Sequence, residues 1–157
     1  MKLYHVSSLM LMVLLAKVAI ADTALDLEAS ERAAQLARSA CGRLGRSVAV
    51  AVVDASGQTL LASRSPDVGP HNLEAARRKA YTALSTKQST LALGRLARSR
   101  PDTAALEYLP ELLLLGGGVP VRHDDRVIGA VGVAGGGGPE NDDACAQEAA
   151  SSLFDVR

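Results

Sequence analysis

The sequence predicts an α+β fold, a single domain in which an antiparallel sheet of about five strands is flanked by helices. Three observations predict it. A stretch rich in Ala, Leu, Glu and Arg, with apolar residues at helical spacing, gives way near residue 48 to a β-branched run. Apolar runs of that kind recur in neighbouring sets joined by hairpin-length turns, which implies antiparallel pairing rather than parallel crossovers. Helical patterns stand before, between and after them, so helices cover the sheet as layers. A chain of 157 residues with 48% hydrophobic and 22% charged content is ordinary for one globular domain with a real core.

The first 21 residues, "MKLYHVSSLMLMVLLAKVAIA", carry an early cation at Lys2, an apolar run over 6–16, and small residues at Ala19 and Ala21 before Asp22. That is the pattern of a cleaved secretory signal. Lys17 stops the apolar run short of the ~20 residues a membrane span needs, which argues against a stable anchor. The expected arrangement is a signal over 1–21 and a domain over 22–157, periplasmic or secreted. Cleavage removes Lys2 and Lys17, so 17 basic residues fall to 15 against 17 acidic ones, a net charge of −2. That balance argues against a nucleic-acid partner.

Leu25, Ala29, Ala33, Leu36, Ala40 and Leu44 recur at helical spacing over 22–44, and Gly45 ends the helix. A hairpin follows, with strands over 48–53 and 58–63 around a turn at 54–57. Pro66, Gly69 and Pro70 break regular structure before a second helix, with Asn72 as its expected N-cap and Leu73, Ala76, Ala80 and Leu84 on one face. Helical turns are expected over 90–97 and again before Pro110. Three apolar segments, 112–115, 119–122 and 126–133, then read as strands, the last two joined by His123-Asp124-Asp125. Gly135, Gly136, Gly137 and Gly138 form a hinge, and Asn141 or Asp142 is placed to cap a final helix running to Leu153.

The chemistry narrows by exclusion. Nine of the fourteen glycines lie between Gly116 and Gly138, yet there is no GxGxxG and no Gly-Lys-Ser/Thr, so the phosphate-loop reading fails. No Gly-x-Ser-x-Gly elbow marks a nucleophile. His123-Asp124-Asp125 reads as a solvated hairpin tip, because neighbours on a tight turn point different ways. Arg77-Arg78-Lys79 is a denser signal. Successive helix positions turn by about 100°, so one or two of the three can reach a ligand carboxylate, the bland alternative being a solvated helix face. In "LLLLGGGVP", Gly116, Gly117 and Gly118 mean either a turn that admits no Cβ or something within contact distance of the backbone. Cys41 and Cys145 lie in helical stretches near opposite ends of the domain. In an exported chain they are expected to pair as a disulfide, the alternative being two buried thiols.

Four motifs in order, "ARRKAYTAL", "LLLGGGVPV", "VIGAVGVAGG" and the acidic stretch before "CAQEAA", resemble the GlcG/HbpS family, the haem-degrading or DUF336 domain, over roughly residues 27–153. The resemblance implies a compact α+β domain with profilin-like layers around an antiparallel sheet, often in homo-oligomers. Several members bind haem, some are linked to its degradation, some are exported, and a related domain is fused to cobalamin adenosyltransferases. Two departures stand out. The family commonly has Asp-Gly where this chain has Asp124-Asp125, and often Ser where it has Ala134.

The resemblance therefore implies an exported haem-binding protein used in haem handling or sensing. Haem needs apolar surface for its ring, cations for two propionates and usually one axial donor to iron. Arg77, Arg78 and Lys79 are the expected propionate partners, with Tyr81 and the backbone of Gly116, Gly117 and Gly118 completing the ligand site. His71, His123, Tyr81 and Tyr108 are the axial candidates; His71, just before the basic helix, is marginally favoured. A second reading is an accessory protein or enzyme acting on a small carboxylated metabolite or corrinoid through the same cations. A third is a purely structural oligomer whose glycines serve packing alone.

Overall fold

The computed structural model describes residues 24–154, so the expected signal segment lies outside the described residues. In chain order it contains α1 (Leu27–Arg43), β1 (Ala49–Asp54), β2 (Thr59–Arg64), α2 (His71–Thr86), α3 (Thr90–Ala97), the short α4 (Pro101–Ala104) with a 3₁₀ turn (Ala105–Tyr108), β3 (Gly118–His123), β4 (Arg126–Ala134) and α5 (Pro139–Ser152). The strands form one antiparallel sheet of four in the order β2-β1-β4-β3.

Side-chain alternation along the strands makes two unlike faces. Val50, Val52, Val121, Val131 and Val133 point to α1 and α5. Ala49, Ala51, Ala130 and Ala134 point to α2. The small face draws α2 in until backbone meets backbone: a Cβ on Gly132 would lie 1.9 Å from the Ala76 carbonyl oxygen, and one on Gly118 would lie 2.1 Å from that of Lys79. The register shift opposite Val121 and Arg122 inserts Ile128 as an extra residue. Val127 accordingly packs on the α2 side while Ile128 joins the α1/α5 side.

The segment 112–115, expected as a strand, is a loop, which accounts for four strands rather than about five. Its backbone groups are claimed by side chains and not by a ladder. Leu113 N–H donates to Thr82 Oγ1 at 2.8 Å, and the Leu112 carbonyl accepts from Arg78 at 2.6 Å. The Leu115 carbonyl accepts from Thr90 Oγ1 at 2.7 Å.

Helix ends differ from expectation where glycine or proline sets the chain. Asp26 caps α1 by accepting from Ala29 N–H at 2.7 Å. α2 begins directly after Pro70, so Asn72 lies inside its first turn and its amide donates to the Gly69 carbonyl. α5 begins at Pro139, which needs no N–H partner there. Asn141 and Asp142 therefore do not cap it; both reach back to Gly136. At the β3–β4 turn the left-handed residue is Asp124, with φ +50°, and not Asp125. Cys41 and Cys145, both buried, are joined in a disulfide that ties α1 to α5 across 104 residues of sequence.

Candidate functional site

What touches the glycine turn is the protein itself. A Cβ on Gly116 would lie 2.5 Å from the Pro139 carbonyl oxygen at the start of α5. Gly117, at φ +119°, would place one 2.4 Å from the Val133 carbonyl oxygen and 3.1 Å from Lys79 Nζ. The three glycines thus let α2, α5 and β4 converge on one point, and a charge cluster lies there.

Lys79 is 1% exposed although its neighbours in the basic triplet reach solvent. Its ammonium donates to Asp142 Oδ2 at 2.8 Å and to the Val133 carbonyl at 3.0 Å. Burial pushes the Lys79 ammonium below its usual range, and attraction to Asp142, and more weakly Asp143, opposes that. Asp142 uses its other oxygen to accept from Gly136 N–H at 2.7 Å. Asp143 is 8% exposed, and burial pushes its carboxyl above the usual range. The nearby polar groups of Gln147, Gly117 and Ser89, with the charge of Arg95, act against that rise. Its Oδ1 has no partner among the described residues. One cation and two carboxylates are neutral together only when one carboxyl carries a proton.

Beside this cluster opens a groove of about 560 Å³ between β3, the end of α5 and the α2–α3 connection. Val119, Pro120, Ala150 and Phe154 give it apolar wall; Lys87 and Arg122 give it cations; Ser89, Gln147 and His123 give it polar groups. The His123 ring stands edge-on to Phe154 with centroids 5.1 Å apart, which fixes the imidazole at the groove. Arg122 donates to the Lys87 carbonyl at 2.9 Å, and Lys87 holds a left-handed conformation, φ +58°, ending α2. The groove size falls within the roughly 300–1,000 Å³ usual for small-molecule sites.

The residues expected at one site are dispersed. Arg77 binds Glu74 and Glu111, both at 2.8–2.9 Å. Arg78 binds the Leu112 carbonyl and lines a separate cleft of about 320 Å³ with Glu107 and Leu112 to Leu115. Tyr81 packs on Gly57 in the β1–β2 turn, Tyr108 is 87% exposed, and His71 is exposed against Gly69. Lys79 alone of the basic triplet sits with Gly117 and Gly118, and of the four axial candidates only His123 lines the groove. Ala134 is buried under α2 beside Ala76. Asp143, Lys87, Arg122 and Phe154 were not expected at a site, and Asp142 was expected only as a helix cap. The doublet Asp142-Asp143 was visible as an acidic stretch, but its partner Lys79 is 63 residues away.

Residues 25–151 match the family model described as haem degrading protein, HbpS-like. The chain belongs to the HbpS-like family. It is 32% identical over 114 residues to an uncharacterised 15.0 kDa protein from the dhaT-dhaS intergenic region of Citrobacter freundii, covering 71% of this chain and 80% of that one. The fold superposes on the crystal structure of HbpS with a TM-score of 0.77 at 38% identity, covering 83% of this chain and 91% of that chain. It also superposes on a PduOC:haem complex with a TM-score of 0.73 at 27% identity, covering 83% and 96%. The HbpS-like chain thus has its family's sheet and helices, with four strands in the sheet.

Proposed function

We propose that this chain is an exported haem-binding protein that handles or senses haem as a homo-oligomer, with the groove beside His123 as the haem site. The observation that carries the reading is the groove's lining: apolar wall, an imidazole and two cations in one cavity. Haem supplies an iron that takes an axial nitrogen, a flat apolar ring and two carboxylates. Against those demands His123 offers the nitrogen, held in place by Phe154. Val119, Pro120 and Ala150 exclude water from one ring face, and Lys87 and Arg122 pair with carboxylates. Export is supported by the signal pattern over 1–21 and by a disulfide, which persists in oxidising compartments. In this reading Arg77, Arg78 and Lys79 serve the fold, since each is engaged within the chain.

Haemin titration of the purified protein tests it. A Soret shift saturating near one haem per chain is expected, and His123→Ala should remove the spectrum of nitrogen-ligated iron. Lys87→Ala with Arg122→Ala should weaken binding about tenfold or more, as loss of hydrogen bonds to a charged group does. No saturable shift would sink the reading. A second reading, a small carboxylated metabolite bound in the Arg78 cleft, is favoured by one observation: Arg78 Nε is buried without a partner beside four leucines. Loss of binding in Arg78→Ala, with the groove variants unaffected, would select it.

A further inference from the structure

Lys79 and Asp142 meet in the interior from two different helices. Lys79 lies in the middle of α2 and Asp142 in the first turn of α5, 63 positions further along the chain. Their side chains are 1% and 7% exposed, and Lys79 Nζ stands 2.8 Å from Asp142 Oδ2. The geometry points to a modification site at this contact: the folded chain joins Lys79 Nζ to Asp142 Cγ in an isopeptide cross-link between α2 and α5. The inference goes beyond the haem reading and does not rest on it, since neither residue lines the groove.

The surroundings suit an amide better than an ion pair. An ammonium has three N–H groups to place. Lys79 Nζ has two acceptors among the described residues, Asp142 Oδ2 and the Val133 carbonyl at 3.0 Å. A secondary amide has one N–H and one carbonyl oxygen. The Val133 carbonyl is placed to accept that N–H, and Gly136 N–H already donates at 2.7 Å to Asp142 Oδ1, the oxygen the amide would keep. Closing the bond therefore leaves both polar groups of the amide partnered, and it removes two charges from a site where burial penalises each. Backbone walls the pair. A Cβ on Gly117 would lie 2.8 Å from Asp142 Cβ and 3.1 Å from Lys79 Nζ, and one on Gly136 would lie 2.7 Å from Asp142 Oδ1.

The reaction is a condensation and needs no co-reactant. A proton passes from Nζ to Oδ2 along their hydrogen bond, giving an amine and a carboxylic acid, the neutral forms that burial favours. The amine lone pair attacks Cγ, the Cγ–Oδ2 bond breaks, and Oδ2 leaves as water. Of the three ammonium protons two depart on that water and one stays on Nζ, and nothing is oxidised or reduced. With a C–O bond of about 1.2 Å, Cγ lies within about 4 Å of Nζ, near the separation of about 3–3.5 Å at which held groups react. Gly136 N–H faces the oxygen on which negative charge develops during attack. Groups so held reach effective molarities of about 10⁵ M and above, which outweighs the tendency of amides to hydrolyse in a site closed to water.

Peptide mapping by mass spectrometry tests this on the purified folded protein, with the disulfide reduced and alkylated before digestion. In more than half of the molecules trypsin should fail to cleave after Lys79, and the peptides carrying Lys79 and Asp142 should appear as one joined species, lighter than their sum by one water. Asp142→Ala and Lys79→Arg should both lack the joined species. The wild-type map decides the matter even if a variant fails to fold. Free Lys79 and Asp142 peptides from half or more of the wild-type molecules, a water lost at Asp142 without joining, or a joined species that persists in Asp142→Ala would each overturn the proposal. Haemin binding is read separately, so a linked chain that binds no haem sinks the haem reading alone, and an unlinked chain that binds it sinks only the cross-link.

Discussion

Lys79 and Asp142 form an ion pair whose side chains are 1% and 7% exposed, and its energetic meaning depends on how it is disturbed. Removing one partner strands the other charge in the core. Lys79→Ala should therefore lower stability by about 3–5 kcal/mol, whereas Lys79→Met combined with Asp142→Leu should recover much of the loss. Urea unfolding of the two variants beside the wild type checks the contrast. Asp143 gives a pH signature of definite sign. Its folded carboxyl holds a proton to higher pH than the unfolded one, so between the two pKa values the native state binds more protons. Its contribution is full below the unfolded pKa and is lost as pH rises through the folded pKa. Asp143→Asn should flatten that fall and be more stable than the wild type at neutral pH, measured as denaturation midpoints across the acid range.

At the scale of elements, the close approach of α2 to β4 and β3 governs the site. The approach exists because most α2-facing positions of the sheet, Val53 and Val127 excepted, are alanine or glycine. A methyl at Gly132 meets the Ala76 carbonyl and the Ala80 nitrogen, backbone atoms that cannot rotate away. Gly132→Ala should cost about 1–3 kcal/mol or more through overpacking. Gly42, within α1, has nothing within 4 Å of the position its Cβ would take. Gly42→Ala should instead stabilise by about 0.5–1 kcal/mol, since alanine is the better helix former. Opposite signs for the same chemical change, read by thermal unfolding, would establish that close packing, and not glycine content, positions α2.

At the scale of the whole molecule, α1 and α5 cover one face of the sheet and the Cys41–Cys145 bridge joins them near the chain's two ends. α5 also carries Asp142 and Asp143, so the bridge stiffens the element that presents the charge cluster. Closing a loop of about 100 residues is worth roughly 4–5 kcal/mol in the chain-entropy view. Cys41→Ser with Cys145→Ser should lose up to that amount, and reductant should lower the unfolding temperature of the wild type but not of the double variant. Differential scanning calorimetry with and without reductant makes the comparison.

The sequence by itself determined the class of fold and the order of nearly all its elements, because periodicity and turn residues are local properties. It marked Gly116, Gly117 and Gly118 as either a turn that admits no Cβ or a place of close approach, and the family's motifs were legible in their order. Tertiary structure decided the rest. Segment 112–115 is apolar enough for a strand, but Thr82, Thr90 and Arg78 from α2 and α3 claim its backbone, and no local signal announces that. Three consecutive cations look alike in one dimension. Helix rotation buries Lys79 against α5 while turning Arg77 toward Glu74 and Glu111, and only packing fixes which residue goes inside. His123 and Phe154 lie 31 positions apart and become a groove wall only when α5 crosses β3. Contacts between residues distant in sequence depend on how whole elements dock, and that docking is written in no single stretch of the chain.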